Sequence, residues 1–368
     1  MKEIAILHVD PAPCWRGGQQ QAFYLHQGLC QRGIRSGFIC QPHLPMARRL
    51  QDSALPYHPL RYRHDLDLWA GFTLARYATR QGYNILHLHS GHALNWGHLA
   101  KLFAPGLRLV ASRRVDFPIQ RNPLSRWKYC SSRLSRIVAI SENIRQVMLK
   151  DGIPAAKITL IHSGVDLKRF AQSPLAPNYR SLWQIPEGAV IIGTVAAFVA
   201  HKDYRNFLHA AALALKTNPH LHFVAVGDGA LLGTMKELAQ ELGIQAHISF
   251  TGFQREVGTH LKAFDIFVIA SKKEGLGTTV LDAMSLGLPV IGTRAGGIPE
   301  MIASGHSGIL VEARNSEALA KAMLDLAADK KQRVRLGENA QQAVKRFSKE
   351  NMVVENLRLY EELLCSES

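Results

Sequence analysis

The chain has 368 residues, of which 47% are hydrophobic and 20% charged, and its formal net charge is +15. This length favours two domains over one, and the composition is that of a folded protein, which excludes an intrinsically disordered chain. The five cysteines are scattered and never form a CxxC pair, so the sequence predicts neither a disulfide framework nor a zinc site.

Short apolar runs rich in β-formers alternate with helical patterns along the whole chain, which indicates βαβ units and parallel sheets. In the first half, strands are predicted at 4–9, 36–40, 85–89, 107–112, 137–140 and 158–161. The pattern restarts in the second half, with strands predicted at 190–194, 222–226, 248–251, 266–270, 289–293 and 308–311. From Asn315 onward the pattern is helical, and it ends in an amphipathic helix over 348–364.

The fold class predicted from this alternation is α/β, with two Rossmann-like, doubly wound parallel sheets facing across a cleft. We expect an N-terminal domain over 1–172, a proline-containing linker over 173–188 and a C-terminal domain over 189–345. The last segment, 346–368, is predicted to be a helix that packs back on the N-terminal domain. No apolar stretch reaches the roughly 18 residues of a membrane span, and no signal peptide is evident, so we expect a cytoplasmic protein.

The positive charge is confined to one half of the chain. Residues 1–172 contain 24 Lys and Arg against 9 Asp and Glu, whereas residues 173–368 contain 20 of each. This asymmetry predicts an anionic partner for the N-terminal domain, although a solvated basic surface is the alternative. Nucleic acid is not predicted, because no zinc-finger spacing, RNP-like pattern or long basic helix is present. A basic, aromatic-bearing helix predicted within 121–136 could lie at the interface of an anionic membrane, or it could be a solvated surface helix.

The most informative segment covers 266–302. A strand ends near Ala270, glycines follow at Gly275 and Gly277, and a helix is predicted from Thr278. Glycines before a helix N-terminus let backbone N–H groups approach a phosphate, so a diphosphate fits this loop. The carboxylates of Glu274 and Asp282 could accept hydrogen bonds from the hydroxyls of a sugar and a ribose.

In the N-terminal half, candidate residues follow the predicted strands. Strand alternation turns His87 and His89 to the same face, and His89 lies nearer the strand end. A lone strand histidine is more often a packed core residue than a functional one. Arg113, Arg114 and Asp116 follow another strand, where they could meet an anionic acceptor.

The order of residues from Glu274 to Glu300 resembles the retaining glycosyltransferases of the GT-B fold, family GT4. The positions that match are Glu274, Gly275, Gly277, Ala283, Met284, Gly287, Pro289, Gly296, Gly297, Pro299 and Glu300. Asp282 departs from the family pattern, which has a second Glu there, so its implied contact with the ribose is made by a side chain one methylene shorter.

The resemblance also implies roles for other positions. Lys202 matches the lysine that grips the donor diphosphate, while Ala197 stands where the family usually has an arginine, for which Arg205 or Arg113 could substitute. His89 matches a histidine near the anomeric carbon, so the implied catalytic residues are Glu274, His89 and Lys202. The implied donor-binding residues are Gly17, Gly18, Lys202, Arg205, Gly227, Gly252, Phe253, Glu274, Gly275, Leu276, Gly277, Thr278, Thr279 and Asp282. The acceptor-binding residues are expected to be Trp15, Arg16, His89, Arg113, Arg114 and Asp116.

The function implied is transfer of a sugar, with retention of anomeric configuration, from a nucleotide diphosphate sugar to an acceptor hydroxyl in envelope polysaccharide, lipopolysaccharide or glycolipid synthesis. The donor is expected to be a UDP-sugar, the acceptor an anionic lipid-linked molecule or a saccharide, and neither a metal nor another cofactor is required. A nucleotide-sugar epimerase of the same fold and a non-catalytic anion- or membrane-binding module are the alternatives. A nicotinamide dehydrogenase lacks support, because residues 10–18 contain no G-x-G-x-x-G.

Overall fold

A computed structural model describes residues 3–365, except 62, 63, 65, 120–122 and 171–178. The chain divides into two compact units. Unit 1 comprises Met1–Gly164 and Lys349–Ser368, and unit 2 is the continuous segment Val165–Ser348. The C-terminal segment therefore returns to the N-terminal unit.

Unit 1 is built on a seven-stranded parallel sheet with the order β3-β2-β1-β4-β5-β6-β7. The strand order reverses direction between β1 and β4, the position at which doubly wound sheets bind ligands. The strands are β1 (Ala5–Val9), β2 (Arg35–Cys40), β3 (Tyr57–Pro59), β4 (Ile85–Leu88), β5 (Arg108–Arg113), β6 (Leu134–Ala139) and β7 (Ile158–Leu160). The helices are α1 (Gly17–Gln31), α2 (Pro45–Asp52), α3 (Leu68–Arg80), α4 (Gly91–Phe103), α5 (Pro123–Cys130), α6 (Glu142–Lys150) and, after unit 2, α15 (Lys349–Cys365).

Unit 2 is built on a six-stranded parallel sheet with the order β10-β9-β8-β11-β12-β13, and its reversal lies between β8 and β11. The strands are β8 (Val190–Val195), β9 (Leu221–Val226), β10 (Ile248–Gly252), β11 (Ile266–Ile269), β12 (Val290–Thr293) and β13 (Ile309–Val311). The helices are α7 (Tyr179–Leu182), α8 (Tyr204–Thr217), α9 (Leu232–Glu241), α10 (Val257–Leu261), α11 (Thr278–Ser285), α12 (Ile298–Met301), α13 (Ser316–Ala328) and α14 (Lys330–Ala343).

The central strands are continuous apolar runs because both faces of each sheet are covered by helices. Every residue of β1, β4, β9 and β11 is buried. The prediction of two Rossmann-like parallel sheets is confirmed. Among the helices of the described residues, none is both long enough and apolar enough to cross a membrane.

The structure differs from the sequence-based expectation in three places. The short edge strand β3 was not predicted, because its three residues are partly exposed and show no alternation. The helix expected within 121–136 is wrong in extent: α5 ends at Cys130, and Leu134 is already buried in β6. The segment expected to be a linker, 173–188, falls within unit 2, where α7 begins at Tyr179, and residues 173–178 lie outside the described part of the chain.

The last helix packs on unit 1, as predicted. Helix α15 contacts α1, and a Cβ added to Gly28 of α1 would lie 2.6 Å from Val353 Cγ2. Tyr360 is fully buried, and its hydroxyl lies 2.5 Å from His87 Nδ1 in β4. Helix α15 therefore supplies both apolar cover and a polar contact to the sheet of unit 1.

Candidate active site

The carboxylate of Glu274 lies in the loop between β11 and α11 of unit 2. Its Oε2 forms an ion pair with Lys202 Nζ and accepts a hydrogen bond from Ser271 Oγ at 3.2 Å. Lys202 ends a 3-10 turn (Ala200–Lys202) that follows β8, and the N–H of Lys272 donates to the carbonyl of His201 at 2.9 Å. Because β8 and β11 are neighbours at the strand reversal, their two loops meet and bring the lysine to the carboxylate.

The following βα loop holds the backbone of Glu274. The N–H of Gly297 donates to the Glu274 carbonyl at 3.1 Å. At Gly296, where φ is +55°, an added Cβ would lie 1.8 Å from that same oxygen. A glycine is required at this position, because any side chain would displace the loop that carries Glu274.

Helix α11 begins directly after the glycines, as predicted. The N-cap residue Gly277 has a left-handed backbone, with φ +92°, and as a glycine it has no side chain with which to cap the helix. The first-turn residues Thr278 and Thr279 therefore present backbone N–H groups and the positive end of the helix dipole, an arrangement that favours an anion. Leu276 is buried and fixes the loop against the core.

Asp282 lies one turn into α11 and is buried. Arg169 Nη1 lies 3.6 Å from its Oδ2. Burial raises the pKa of Asp282 to about 6, an effect that Arg169 partly opposes and that Asp166 reinforces. Sequence reasoning missed Arg169, since no motif links a residue before β8 to a helix more than a hundred positions later. It likewise missed Ser271, which follows β11 without any distinguishing pattern.

Of the other predicted donor residues, Gly17 and Gly18 belong to unit 1, whereas Gly227, Gly252 and Phe253 lie in neighbouring loops of unit 2. An added Cβ at Gly227 would lie 2.0 Å from the Ala196 carbonyl, so this glycine is required by packing of the two loops. Its N–H donates to the carbonyl of Gly252 at 3.0 Å, and Phe253, next in sequence, is 72% exposed. Arg205 is exposed on α8, and Ala197 is exposed in the loop after β8.

In unit 1, Arg114 contacts His89 at the ends of β5 and β4. Arg114 Nη2 lies 3.2 Å from His89 Nδ1, and His89 Nε2 lies 2.9 Å from His8 Nδ1. A guanidinium can only donate, so His89 Nδ1 accepts, its proton is on Nε2, and that N–H donates to His8. Among the described residues, His8 Nε2 and Arg114 Nε are buried without a partner.

His8, His87 and His89 lie side by side in the core of unit 1, with ring centroids of His87 and His89 4.3 Å apart. Burial first, and then the neighbouring histidines and Arg114, keep the pKa of His8 and of His89 well below the usual range. Burial lowers the pKa of His87 to about 3. All three rings are therefore neutral at pH 7.

The ring nitrogens of these three histidines lie within 4.8 Å of one another, a separation that a metal ion could bridge. Their chemistry fits a metal poorly. His87 bonds to Tyr360 and to Ser112 Oγ at 2.8 Å, and His89 bonds to Arg114 and His8, so both ring nitrogens of these two histidines are already hydrogen-bonded within the protein. A buried guanidinium beside them adds repulsion for a cation.

The first turn of α1 contacts this cluster at Gly18. A Cβ added to Gly18 would be 3.2 Å from Arg114 Cδ. Asp10 accepts from Gln19 Nε2 at 3.0 Å and from the Ala12 N–H at 3.1 Å, which fixes the entry to α1. Burial raises the pKa of Asp10.

The other predicted site residues of unit 1 are the donor candidate Gly17 and the acceptor candidates Trp15, Arg16, Arg113 and Asp116. The ring of Trp15 packs beneath the guanidinium of Arg49, 4.2 Å from its centroid, and Arg16 and Gly17 are exposed. Arg113 donates to the Phe117 carbonyl at 2.5 Å and lies over the ring of Tyr129. Asp116 is partly exposed in the loop after β5. The structure thus brings Gly18, His89 and Arg114 together in unit 1, and Lys202 and Glu274 together in unit 2.

Comparison with known families gives two matches that together span most of the chain. Residues 15–169 match the family model described as Glycosyltransferase Family 4, and residues 177–343 match the model described as Glycosyl transferases group 1.

Individual relatives have low sequence identity to this chain, but the matches cover most of its length. The chain is 27% identical to the D-inositol 3-phosphate glycosyltransferase of Corynebacterium urealyticum, over 77% of this chain and 73% of that protein. It is 23% identical to the UDP-Gal:alpha-D-GlcNAc-diphosphoundecaprenol alpha-1,3-galactosyltransferase of Escherichia coli, over 89% of both. The crystal structure of Anabaena Alr3699/HepE in complex with UDP superposes with a TM-score of 0.84 at 19% identity, covering 98% of this chain and 100% of that one.

Proposed function

Because the chain belongs to the glycosyltransferases of family 4, we propose that it transfers a sugar from a UDP-sugar to an anionic lipid-linked acceptor, with retention of anomeric configuration. That the chain is a glycosyltransferase of the GT-B fold, as its sequence predicted, is confirmed by the family matches and the structural neighbours. The donor base, the stereochemistry and the acceptor are the proposed part.

The single observation that carries the proposal is the Glu274 constellation in unit 2. A carboxylate held by Lys202 and Ser271 stands beside the uncapped N-terminus of α11. We assign Lys202 and the N–H groups of Thr278 and Thr279 to the diphosphate, whose negative charge increases as the sugar departs. The ion pair between Glu274 and Lys202 would then break, and Glu274 would accept hydrogen bonds from hydroxyls of the donor sugar.

The nucleoside is assigned to the surrounding loops of unit 2. Asp282 would accept hydrogen bonds from the ribose hydroxyls, and Gly252 and Phe253 would pass beside the base. Uracil is supported as the donor base by the related structure that contains UDP and by the relative whose name specifies UDP-Gal.

The acceptor is assigned to unit 1. Arg113 and Arg114 would attract a phosphate-bearing acceptor, and His89 would stand at the reacting centre. The relative that acts on a diphosphoundecaprenol compound supports a lipid-linked acceptor. Such an acceptor places the enzyme at the cytoplasmic face of a membrane, where the basic half of the chain would assist its association.

The test compares Glu274→Gln with the matched control Glu312→Gln, whose carboxylate is exposed in unit 2 and pairs with Arg294. Each protein is incubated with UDP-, GDP- and ADP-sugars, and nucleotide release is followed with and without a polyprenyl-diphosphate sugar acceptor. We expect the first variant to lose at least about a hundredfold in turnover with an unchanged melting temperature. Full turnover by Glu274→Gln would falsify the assignment of this site, and conversion of the donor sugar without any acceptor would indicate an epimerase.

A further inference from the structure

An exposed apolar surface covers the outer side of α3 and α4 in unit 1. Trp69 is 65% exposed, Leu68 60% and Phe103 50%, and Leu102 is exposed as well. The ring of Phe72 joins them, since its centroid lies 5.8 Å from that of Trp69 and 5.3 Å from that of Phe103. We call these five residues the α3–α4 patch: Leu68, Trp69, Phe72, Leu102 and Phe103.

The patch is not part of the core. Helix α3 buries its other face through small residues and Leu74, and at Gly71 an added Cβ would lie 2.5 Å from Leu99 Cβ of α4. Asp67 caps α3 by accepting from the Ala70 N–H at 3.0 Å. The two helices are therefore closely packed, and they hold the patch as a fixed platform whose side chains are turned to solvent.

The charge around the patch is predominantly positive. Helices α3, α4 and α5 contain no Asp or Glu, and from 58 to 141 the chain has 13 Lys and Arg against 3 Asp and Glu. Arg76 and Arg80 are exposed on α3 itself. A surface that combines exposed Trp, Phe and Leu with predominantly basic surroundings matches an anionic lipid bilayer, where rings enter the headgroup boundary and cations attract lipid phosphates.

We propose that the α3–α4 patch docks unit 1 on an anionic membrane surface, with Trp69 and Phe103 inserted at the boundary between headgroups and acyl chains. The need for such docking rests on the proposed lipid-linked acceptor, but the binding itself requires no turnover. The docking surface is thereby assigned to α3 and α4, whereas the sequence pointed to the shorter helix α5.

The experiment measures co-sedimentation of the intact protein with phosphatidylcholine vesicles that contain about one third phosphatidylglycerol, at low salt. The double variant Trp69→Ser/Phe103→Ser is compared with Leu182→Ser, which removes an equally exposed apolar side chain from unit 2. We expect the wild type and Leu182→Ser to sediment, and the double variant to bind at least about tenfold more weakly with an unchanged melting temperature.

Two further measurements make the result specific. Trp127→Ser, in α5, is expected to retain most of the binding, and UDP release in the absence of vesicles is expected to be unchanged in the double variant. Equal sedimentation of the double variant and the wild type would overturn the proposal, as would loss of binding in Trp127→Ser alone. A dimer that dissociates in the double variant, without vesicle binding by the wild type, would assign the patch to self-association instead. Failure of the proposed transferase function would appear separately, as absence of nucleotide release in every variant.

Discussion

At the level of single residues, the sequence predicted where the Glu274 loop lies in the fold. It did not predict which side chains pair with the carboxylates of Glu274 and Asp282. Glu274 and the glycines around it follow a long, ordered motif, so their place after β11 could be predicted. The partners of the two carboxylates could not. Ser271 and Arg169 reach them only through the folded chain, and a lone Ser or Arg has no distinguishing spacing.

The ionisation of Asp282 predicts a pH dependence of donor binding. Burial raises its pKa to about 6, so in the folded protein this carboxyl group gains its proton closer to neutral pH than an ordinary Asp does. As the pH falls through about 6, protonation would weaken the hydrogen bonds that Asp282 accepts from the ribose in the proposed donor site. We expect KM for the donor to rise severalfold between about pH 8 and about pH 5 in the wild type, and to be high and flat in Asp282→Asn.

The raised pKa of Asp282 also determines whether the free energy of unfolding rises or falls with pH. Because the folded pKa lies above the unfolded value near 4, the stabilisation from this proton is complete below about pH 4 and is lost as pH rises through about 6. Denaturant unfolding at pH 7 should therefore find Asp282→Asn at least as stable as the wild type. Parallel KM profiles for the two proteins would count against Asp282 as a ribose ligand, and weaker discrimination between UDP and its 2′-deoxy analogue in Asp282→Asn would support it.

Gly296 allows a matched test of the close approach between two loops. A Cβ at this position would collide with the Glu274 carbonyl at 1.8 Å, whereas at Gly305, which also has a positive φ, nothing lies within 4 Å. We expect Gly296→Ala to reduce kcat/KM at least about a hundredfold by moving Glu274, and Gly305→Ala to show only the backbone strain, about 1 kcal/mol of unfolding free energy.

The comparison is made by steady-state kinetics and denaturant unfolding on both variants. A stable Gly296→Ala enzyme with full activity would show that the position of Glu274 tolerates a shift of this loop.

At the scale of elements, apolar strands were predictable because both sheets are parallel and buried on two faces, which makes the strand runs continuous. All six strands of unit 2 overlap the predicted segments. The errors occurred where the apolar run is short or where the pattern also fits a helix. Strand β3 has three partly exposed residues at a sheet edge, and the pattern around α5 continued into β6 because Leu134 and Arg136 also fit a helical period.

Helix α15 shows how one polar contact joins an element to its sheet. Its Tyr360 hydroxyl and the Ser112 hydroxyl together satisfy both nitrogens of His87 inside unit 1. The contact with Tyr360 could not be predicted from the sequence, because 273 positions separate Tyr360 from His87.

Removal of the Tyr360 hydroxyl should therefore destabilise the protein although the ring remains. In Tyr360→Phe the Nδ1 atom of His87 is left buried without a partner, and we expect a loss of about 1–3 kcal/mol in the free energy of unfolding. The control is Tyr77→Phe, on α3, whose half-buried ring stacks on His58. Chemical denaturation measures both variants, and an equal effect in the two would mean that the buried hydrogen bond contributes nothing beyond that of an ordinary tyrosine hydroxyl.

At the level of the whole molecule, the charge asymmetry agrees with the roles that we propose, donor binding in unit 2 and binding of the anionic acceptor and membrane in unit 1. The half with equal numbers of acidic and basic residues holds the Glu274 site, and the basic half holds Arg113, Arg114 and the α3–α4 patch. Alternation of strands and helices predicted two sheets, and the amphipathic pattern of the last segment predicted a helix that covers another surface. It could not predict which loops meet, because that depends on the strand reversals at β1/β4 and β8/β11.

The connectivity of the two units predicts how the chain can be divided. Unit 2 is one continuous segment whose ends lie together, since the N–H of Val165 donates to the Phe347 carbonyl at 2.8 Å and Val165 forms a bridge with Ser348. Unit 1 needs α15 from the far end of the chain, because Met352, Val353 and Tyr360 belong to its core. We therefore expect the fragment 165–348 to fold alone and melt cooperatively, and the fragment 1–164 to expose apolar surface and aggregate.

Restoring α15 should rescue the second fragment. Since Val165 and Ser348 are bridge partners, a short Gly/Ser linker can join Gly164 to Lys349 directly, and the resulting chain 1–164/349–368 is expected to be monomeric and to unfold cooperatively. The same chain with Tyr360→Asp and Val353→Asp, which place charges in the α1–α15 interface, is the matched control and should fail to fold. Circular dichroism and sedimentation velocity decide between these outcomes. Cooperative folding of 1–164 without α15 would show that the terminal helix only covers a core that is already stable.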